Sequence, residues 1–181
     1  MNSIEIMIEE HKYIKRMLQV VRNACFQIIK GESISYEDFD DMIDFIRTYA
    51  DNHHHGKEEK FLFKEMVDYL GAVGTNLITH GMLVEHDYGR LYMSELKSAL
   101  ERVKNGDEES KLDVISNAVG YANHLNRHII KEDSVVYTYA DKNLPKEVLA
   151  SVNERTEVFE EKATKAGTQN HYIGILERLE E

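Results

Sequence analysis

The sequence predicts an all-α protein, an antiparallel up-down-up-down four-helix bundle with one or two extra C-terminal helices. Apolar residues recur at steps of three and four along four long segments, which indicates amphipathic helices. The chain contains a single proline, so few positions interrupt a helix. No segment alternates apolar and polar residues as a half-buried strand does.

The first two helices are predicted from two apolar stripes separated by a turn. The first stripe covers residues 4–28 and includes His11. Lys-Gly-Glu at residues 30–32 ends this helix. Ser35, followed three residues later by an acid, resembles a capping box that opens the second helix. The second stripe then covers residues 39–66.

The third and fourth helices are predicted in the same way. The sequence GAVGTN at residues 71–76 is expected to be the break before the third helix. The third stripe covers residues 82–103 and stops at KNGDEES, a polar turn at residues 104–110. The fourth covers residues 115–136. Connections this short favour antiparallel neighbours.

The C-terminal part predicts helices outside the bundle. Pro145 suits the first position of a fifth helix that extends to about Lys165. A short last segment follows at residues 171–179. We therefore expect a bundle of two helix-turn-helix repeats at residues 1–140. A C-terminal helical extension at residues 145–181 is expected to pack on it.

Composition argues against several classes of function. The net charge of −11 disfavours nucleic acid and anionic membrane surfaces, because binding to phosphates requires clustered Lys and Arg. The N-terminus lacks the regions of a signal peptide, and no apolar run is long enough to cross a bilayer, so we expect a cytoplasmic protein. Cys25 is the single cysteine; it lies on an apolar helix face and is expected to be a buried, inert thiol.

An internal repeat relates the two halves of the chain. Aligning the halves pairs His11 with His86, His54 with His128, Glu58 with Glu132, Glu10 with Glu85, Lys57 with Lys131, Glu59 with Asp133, and Phe63 with Tyr137. A register that differs by one position would pair His55 with His128, but it sets Glu58 against Lys131. The repeat therefore selects His54 over His55.

The repeated residues predict a metal centre. Residues four apart on a helix share one face, and each half carries a His-x-x-x-Glu pair and a lone histidine on core-facing stripes. A single histidine in a core is usually a hydrogen-bonded structural side chain and not a metal ligand. Six ionisable groups repeated in both halves instead favour imidazole and carboxylate ligands to metal ions, since burial of unpaired charge is costly. The six candidate ligands are His11, His54, Glu58, His86, His128 and Glu132.

Other side chains are assigned weaker roles. His53 and His55 lie about 100° on either side of His54 on an α-helical wheel, so they are expected to be partly solvated flanks or to support the ligands. His124, one turn before His128, could face the site as a ligand or support. His80 is expected near the start of a helix, and Tyr121 is the best candidate to line a ligand pocket.

Four motifs resemble the hemerythrin-like HHE cation-binding family over about residues 1–140. They are EEH at 9–11, HHGKEEKFLF at 54–63, EHDYGR at 85–90 and HIIKEDSVVY at 128–137. The resemblance implies a non-haem di-iron centre with two iron ions, joined by an oxo group and by carboxylates. The six candidates would be its ligands, with both glutamates bridging.

The chain departs from the oxygen-carrying hemerythrins. Those carry His-x-x-x-His on the third helix, where this chain has only His86, with Met82 one turn before it. Their fourth helix carries His-x-x-x-x-Asp, whereas this one carries His-x-x-x-Glu. Each iron could therefore keep an open position, which favours reactivity over oxygen storage.

The resemblance implies a protein that binds O2, NO or peroxide for sensing, scavenging or detoxification. One alternative is an iron donor for repair of iron–sulfur clusters, which the missing cysteine-bearing N-terminal region disfavours. Another is a ligand-responsive regulatory module that contacts a protein partner through its C-terminal helices. A zinc-filled structural bundle is the last alternative. The sequence leaves open whether the protein is an enzyme.

Overall fold

The computed structural model describes all 181 residues, and it consists of six helices without a strand. This confirms the predicted all-α class. The helices are α1, Ser3–Ile29; α2, residues 36–69; α3, residues 71–104; α4, residues 111–143; α5, Lys146–Lys165; and α6, Thr168–Glu180. The helices α1 to α4 form the bundle, and α5 and α6 pack against α1 and α2.

Three of the bundle helices contain π-helical segments. In α2 they are Phe45–His55 and Glu58–Phe63, between the α-helical segments Tyr36–Asp44 and Lys64–Tyr69. In α3 the π-helical segment Ile78–Met82 separates Gly71–Leu77 from Leu83–Lys104. In α4 the π-helical segment Glu132–Val136 separates Lys111–Lys131 from Tyr137–Asn143. Every candidate ligand except His11 lies in or within a few residues of such a segment.

The turn between α2 and α3 is tighter than predicted. Residues 71–76, expected to be the break, belong to the first turns of α3, and the chain reverses at Leu70. Gly71 has a φ of +57°, a left-handed conformation that glycine adopts without strain. A Cβ on Gly74 would lie 2.1 Å from the carbonyl oxygen of Met66. Because of these two glycines, α2 and α3 are joined by a tight corner in place of the longer loop that was expected.

The apolar core is split into two clusters with the candidate ligands between them. On α1, Met7 belongs to the smaller cluster and Ile14 to the larger, and His11 lies between them. On α3, Met82 and Met93 flank His86 in the same way. Six polar side chains are thus enclosed by apolar layers at both ends, which restricts the access of water to them.

The C-terminal helices are joined to the bundle by apolar and polar contacts. Val152 on α5 and Leu176 on α6 are fully buried. The backbone N–H and the hydroxyl of Ser3 both donate to Asn153 Oδ1, each at 2.8 Å. Tyr172 donates to Asp44 Oδ2 at 3.0 Å. None of the six helices combines the length and the apolar character needed to cross a membrane.

Candidate metal centre

The six candidate ligands converge at the centre of the bundle. Helices α1 and α3 each contribute one histidine, and α2 and α4 each contribute a histidine and a glutamate. All six side chains are at most 1% exposed. The Nε2 atoms of His11 and His54 are 2.9 Å apart, and those of His86 and His128 are 3.1 Å apart.

The spacing within each histidine pair fits two ligands of one metal ion. Imidazole nitrogens bind such ions at about 2.1 Å, so two ligands at a right angle lie about 3.0 Å apart. Glu132 reaches both pairs, because its Oε2 is 3.3 Å from His11 Nε2 and its Oε1 is 2.9 Å from His128 Nε2. Glu58 Oε2 lies 3.8 Å from His54 Nε2 and 3.6 Å from His86 Nε2. Both carboxylates therefore lie between the two pairs.

The central carboxylates are the observation that fits a metal best. Glu58 Oε2 and both carboxylate oxygens of Glu132 are buried, and no donor meets them with hydrogen-bond geometry; their nearest polar neighbours are the imidazole Nε2 atoms. Buried carboxylate oxygens without a partner are strongly unfavourable. Cations held by imidazole nitrogens on either side would supply the missing partners. The donor set suits divalent iron, manganese or zinc.

All four imidazoles are oriented by carboxylates that accept from Nδ1. The pairs are His11 with Asp133 at 2.7 Å, His86 with Glu59 at 2.7 Å, His54 with Glu10 at 2.8 Å and His128 with Glu85 at 2.9 Å. A carboxylate on one nitrogen fixes the tautomer and turns the other nitrogen toward the metal. The sequence contained the signal for these four acids, because the internal repeat pairs Glu10 with Glu85 and Glu59 with Asp133.

A further layer of cations surrounds the orienting carboxylates and follows the same repeat. Lys57 donates to Glu10, and Lys131 donates to Glu85. Arg90 Nη2 donates to Glu59 at 2.7 Å, and Lys15 donates to Asp133 at 3.2 Å. Each imidazole–carboxylate pair is therefore backed by a positive charge, which keeps the carboxylates ionised.

Tyr137 breaks the two-fold symmetry of the centre. Its hydroxyl donates to Glu58 Oε1 at 2.5 Å. Its ring stacks on His11 with 5.7 Å between centroids, while its repeat counterpart Phe63 stacks on His86 at 5.8 Å. The apolar periodicity alone indicates no role for Tyr137. The Phe63–Tyr137 pair in the repeat was the available signal.

Protonation of the centre reflects burial and the carboxylates. Burial, together with the charge of Glu132, raises the pKa of Glu58 well above its usual value. Burial lowers the pKa of His54 to about 4. Burial also acts to lower the pKa of His128, but Glu132 and Glu85 outweigh it and raise that pKa to about 9. Without a metal ion, His128 thus carries a proton near neutral pH, and metal binding must displace it.

His53 and His55 are buried, so the prediction that they are partly solvated flanks was wrong. Neighbouring helices on both sides of α2 account for this burial. His86 of α3 stacks on His55, with 3.8 Å between ring centroids. Phe159 of α5 also covers His53, with 5.3 Å between ring centroids. His53 Nε2 donates to Glu10 Oε1 at 2.9 Å.

The remaining predicted side chains take distinct positions. His55 stacks on His86 with 3.8 Å between centroids, and its Nδ1 donates to Asp51 Oδ1 at 3.3 Å. His124 donates to the carbonyl oxygen of Glu85 at 2.8 Å and does not join the central group. His80 is exposed in the early part of α3.

A cavity of about 310 Å³ lies beside His86, and Tyr121, the candidate to line a ligand pocket, is one of its lining residues. We call it the Gly89 cavity. Its lining includes His55, His86, Gly89 and Tyr121, together with Arg47 and Lys97. The cavity therefore reaches one of the two histidine pairs.

Comparison with known proteins gives one match. The family model described as hemerythrin HHE cation binding domain matches residues 2–140, which include all six candidate ligands. Neither the search of curated proteins nor the search of solved structures returned a match.

Proposed function

The chain belongs to the hemerythrin HHE cation-binding family, and from this we propose that it holds two iron ions and binds O2, NO or peroxide at them. The proposal rests on the three buried carboxylate oxygens without a hydrogen bond, which lie between two pairs of imidazole nitrogens. Iron would supply the capacity to bind such ligands and to exchange electrons with them. We further propose a cytoplasmic location, with residues 1–140 as the metal-binding unit and residues 145–181 as an extension.

The ligands divide between the two ions by proximity. His11 and His54 would hold one ion, and His86 and His128 the other. Glu132 would bind both ions, because its two oxygens face different histidine pairs. Glu58 would bridge as well, since its Oε2 lies within 4 Å of both His54 Nε2 and His86 Nε2.

The chain's own residues set the conditions at the centre. The four orienting carboxylates hold the imidazoles in position before a metal arrives, which lowers the reorganisation on binding. The Tyr137 hydroxyl donates a hydrogen bond to Glu58 Oε1 and so fixes the orientation of this carboxylate. The two apolar clusters exclude water, so the surroundings of a ligand bound at the centre have a low dielectric constant.

Anaerobic loading with ferrous iron tests the proposal. We expect two iron ions per chain, and visible absorption bands on addition of O2, peroxide or NO. A content below one iron per chain, or unchanged spectra with every ligand, would contradict it. Preference for zinc in protein purified from its native host would favour the structural alternative.

One observation favours a second function, that of a ligand-responsive regulatory module. Buried Lys57 donates to both Glu10, which orients His54, and Glu160 of α5. Polar contacts thus run from the centre to the C-terminal extension. If the module responds to its ligand, hydrogen exchange in residues 146–165 changes when NO binds to the iron-loaded protein. Unchanged exchange there would exclude this second function.

A further inference from the structure

A second group of possible metal ligands lies outside the six that form the centre. Its members are Glu10, His53 and Glu160, and we call it the Glu160 site. His53 Nε2 lies 2.9 Å from Glu10 Oε1 and 3.3 Å from Glu160 Oε1. Two ligand atoms that meet one metal ion at a right angle are about 3.0 Å apart. An imidazole and two carboxylates therefore face one position at the spacing of a metal site.

A cation of the protein itself already occupies this position. The Lys57 ammonium donates to Glu10 and to Glu160, and it lies 3.2 Å from His53 Nε2. Lys57 is 1% exposed, and a buried ammonium requires compensating negative charge. The Glu160 site is therefore built around a positive charge, which a divalent ion would supply as well.

The internal repeat indicates that the Glu160 site is specific to one half of the molecule. Lys131, the counterpart of Lys57, also donates to a glutamate. The counterpart of His53, however, is Arg127, and a guanidinium cannot bind a metal ion because it has no acceptor atom. Glu160 belongs to α5, outside the repeat. The C-terminal extension therefore completes a set of ligands in one half that the other half lacks.

An acidic groove of about 750 Å³ joins the Glu160 site to the solvent. The groove lies between the start of α1 and α5, and its charged lining residues are Glu154, Glu157, Glu160, Glu161 and Lys165. Glu154 and Glu157 are exposed and form no ion pair. Glu160 also reaches inward, where it accepts from Lys57. A groove with this excess of negative charge raises the local concentration of cations.

The Glu160 site is separated from the centre by a single carboxylate. Oε1 of Glu10 belongs to the Glu160 site, and Oε2 of the same residue accepts from His54 Nδ1 at 2.8 Å. A cation in the Glu160 site would therefore lie next to the His11 and His54 side of the centre. The Gly89 cavity opens on the other side.

We propose that the Glu160 site is an entry site for ferrous iron, and that Lys57 closes it when no ion passes. A ferrous ion in the acidic groove would displace the Lys57 ammonium and bind in its place. From there the ion would move on to His54, and Lys57 would return, so the wild type holds no third ion at equilibrium. This inference rests on the proposed metal centre for the destination of the ion. The ligands of the Glu160 site are all outside that centre.

Removal of the lysine tests the site. Lys57→Met leaves two carboxylates and an imidazole facing one another without a cation, so a divalent ion should remain bound there. We expect this variant to bind one Co²⁺ ion per chain more than the wild type, measured by isothermal titration calorimetry and by the visible absorption of cobalt. Equal numbers of Co²⁺ ions in the variant and the wild type would overturn the proposal.

Lys131→Met is the matched control, because the repeat pairs Lys131 with Lys57 but places no second ligand set around it. This control should bind as many Co²⁺ ions as the wild type. In the double variant Lys57→Met and His53→Phe, the additional ion should be lost. An additional ion in the control, or one that persists in the double variant, would exclude the assigned ligands.

The comparison with the wild type separates failure of this inference from failure of the proposed function. If the centre binds no metal, the wild type binds no Co²⁺ and the proposed function fails, but Lys57→Met should still bind one ion. If the centre binds two ions, Lys57→Met should bind three. The expected difference is one ion per chain in both cases.

The rate of iron uptake tests the route in a chain that keeps Lys57, so it holds even where Lys57→Met does not fold. The double variant Glu154→Gln and Glu157→Gln should take up ferrous iron at least about threefold more slowly at low salt, since these acids concentrate cations in the groove. The difference should disappear at high salt, and the final iron content should equal that of the wild type. Uptake is measured by quenching with a chelator of free iron.

The control for the route is the double variant Glu95→Gln and Glu109→Gln. It changes the net charge equally at two exposed glutamates without ion pairs, and both lie outside the groove. Its uptake rate should be that of the wild type. Equal uptake rates in the two double variants would exclude entry through the acidic groove.

Discussion

At the scale of single residues, the four carboxylates on Nδ1 decide how well the centre holds metal. Glu10 is the most connected, since it accepts from His54, His53 and Lys57. Its loss leaves His54 free to rotate and Lys57 with one partner fewer. A carboxylate in this position typically contributes about 10–100-fold in metal affinity.

We therefore expect Glu10→Ala to bind ferrous iron about 10–100-fold more weakly, measured by competition with a chelator. Glu9→Ala is the control, because Glu9 is exposed and pairs only with Lys12. Equal iron affinity in the two variants would show that the orienting hydrogen bond to His54 contributes nothing.

Tyr137 should make the two metal positions unequal. Tyr137→Phe places a phenylalanine on α4 at the position that the repeat pairs with Phe63 on α2. The variant also lacks the hydrogen bond to Glu58. We expect both irons to be retained, a loss of about 1 kcal/mol in the free energy of unfolding, and more similar Mössbauer signals from the two irons. The control is the exposed Tyr69→Phe. Unchanged Mössbauer spectra in Tyr137→Phe would contradict the assigned asymmetry.

The raised pKa of His128 makes the metal-free protein sensitive to pH. Burial opposes protonation, but Glu132 and Glu85 raise this pKa to about 9, against about 6.5 in an unfolded chain. The folded state then binds more protons than the unfolded state between these values. This stabilisation is complete below about pH 6.5 and is lost as the pH approaches 9.

We therefore expect the free energy of unfolding of the metal-free protein, measured in urea, to fall from pH 6.5 to 9. Iron affinity should rise over the same range because the displaced protons are lost more easily. Stability that increases with pH across this range would contradict the protonated state of His128.

At the scale of elements, the periodicity within a helix explains what the sequence predicted, and contacts between helices explain what it missed. Steps of three and four placed His11, His54, His86 and His128 on inward faces, because α-helix and π-helix share a face over one or two turns. The same steps do not reveal a wider turn. The burial of His53 and His55 depends on Phe159 of α5 and His86 of α3, which lie far from them along the chain.

The contact between α5 and the centre is testable through Glu160. Glu160→Gln should lower the free energy of unfolding by about 1–3 kcal/mol, because buried Lys57 loses one of its two carboxylates. Glu161→Gln is the matched control, since Glu161 is exposed and its only ion pair is a 3.9 Å contact with Lys165. Equal denaturation curves for both variants would show that α5 does not stabilise the buried lysine.

At the scale of the whole molecule, the internal repeat explains why the centre is nearly symmetric. The positions at which the two halves differ make its two sides unequal. The six candidate ligands, the orienting acids and their cations all follow the repeat, so the sequence was sufficient to predict a symmetric site. Gly89 opposite Ile14 and Tyr137 opposite Phe63 break that symmetry. The effect of these differences depends on how side chains from several helices pack together. The periodicity along one helix does not predict that packing.

The central claim is that two ions lie between the two histidine pairs. Anomalous X-ray diffraction from crystals of the iron-loaded protein, collected at the iron absorption edge, tests it most directly. We expect two peaks, one beside the Nε2 atoms of His11 and His54 and one beside those of His86 and His128, with Glu58 and Glu132 between them. A single peak, or peaks outside this group of six side chains, would contradict the account.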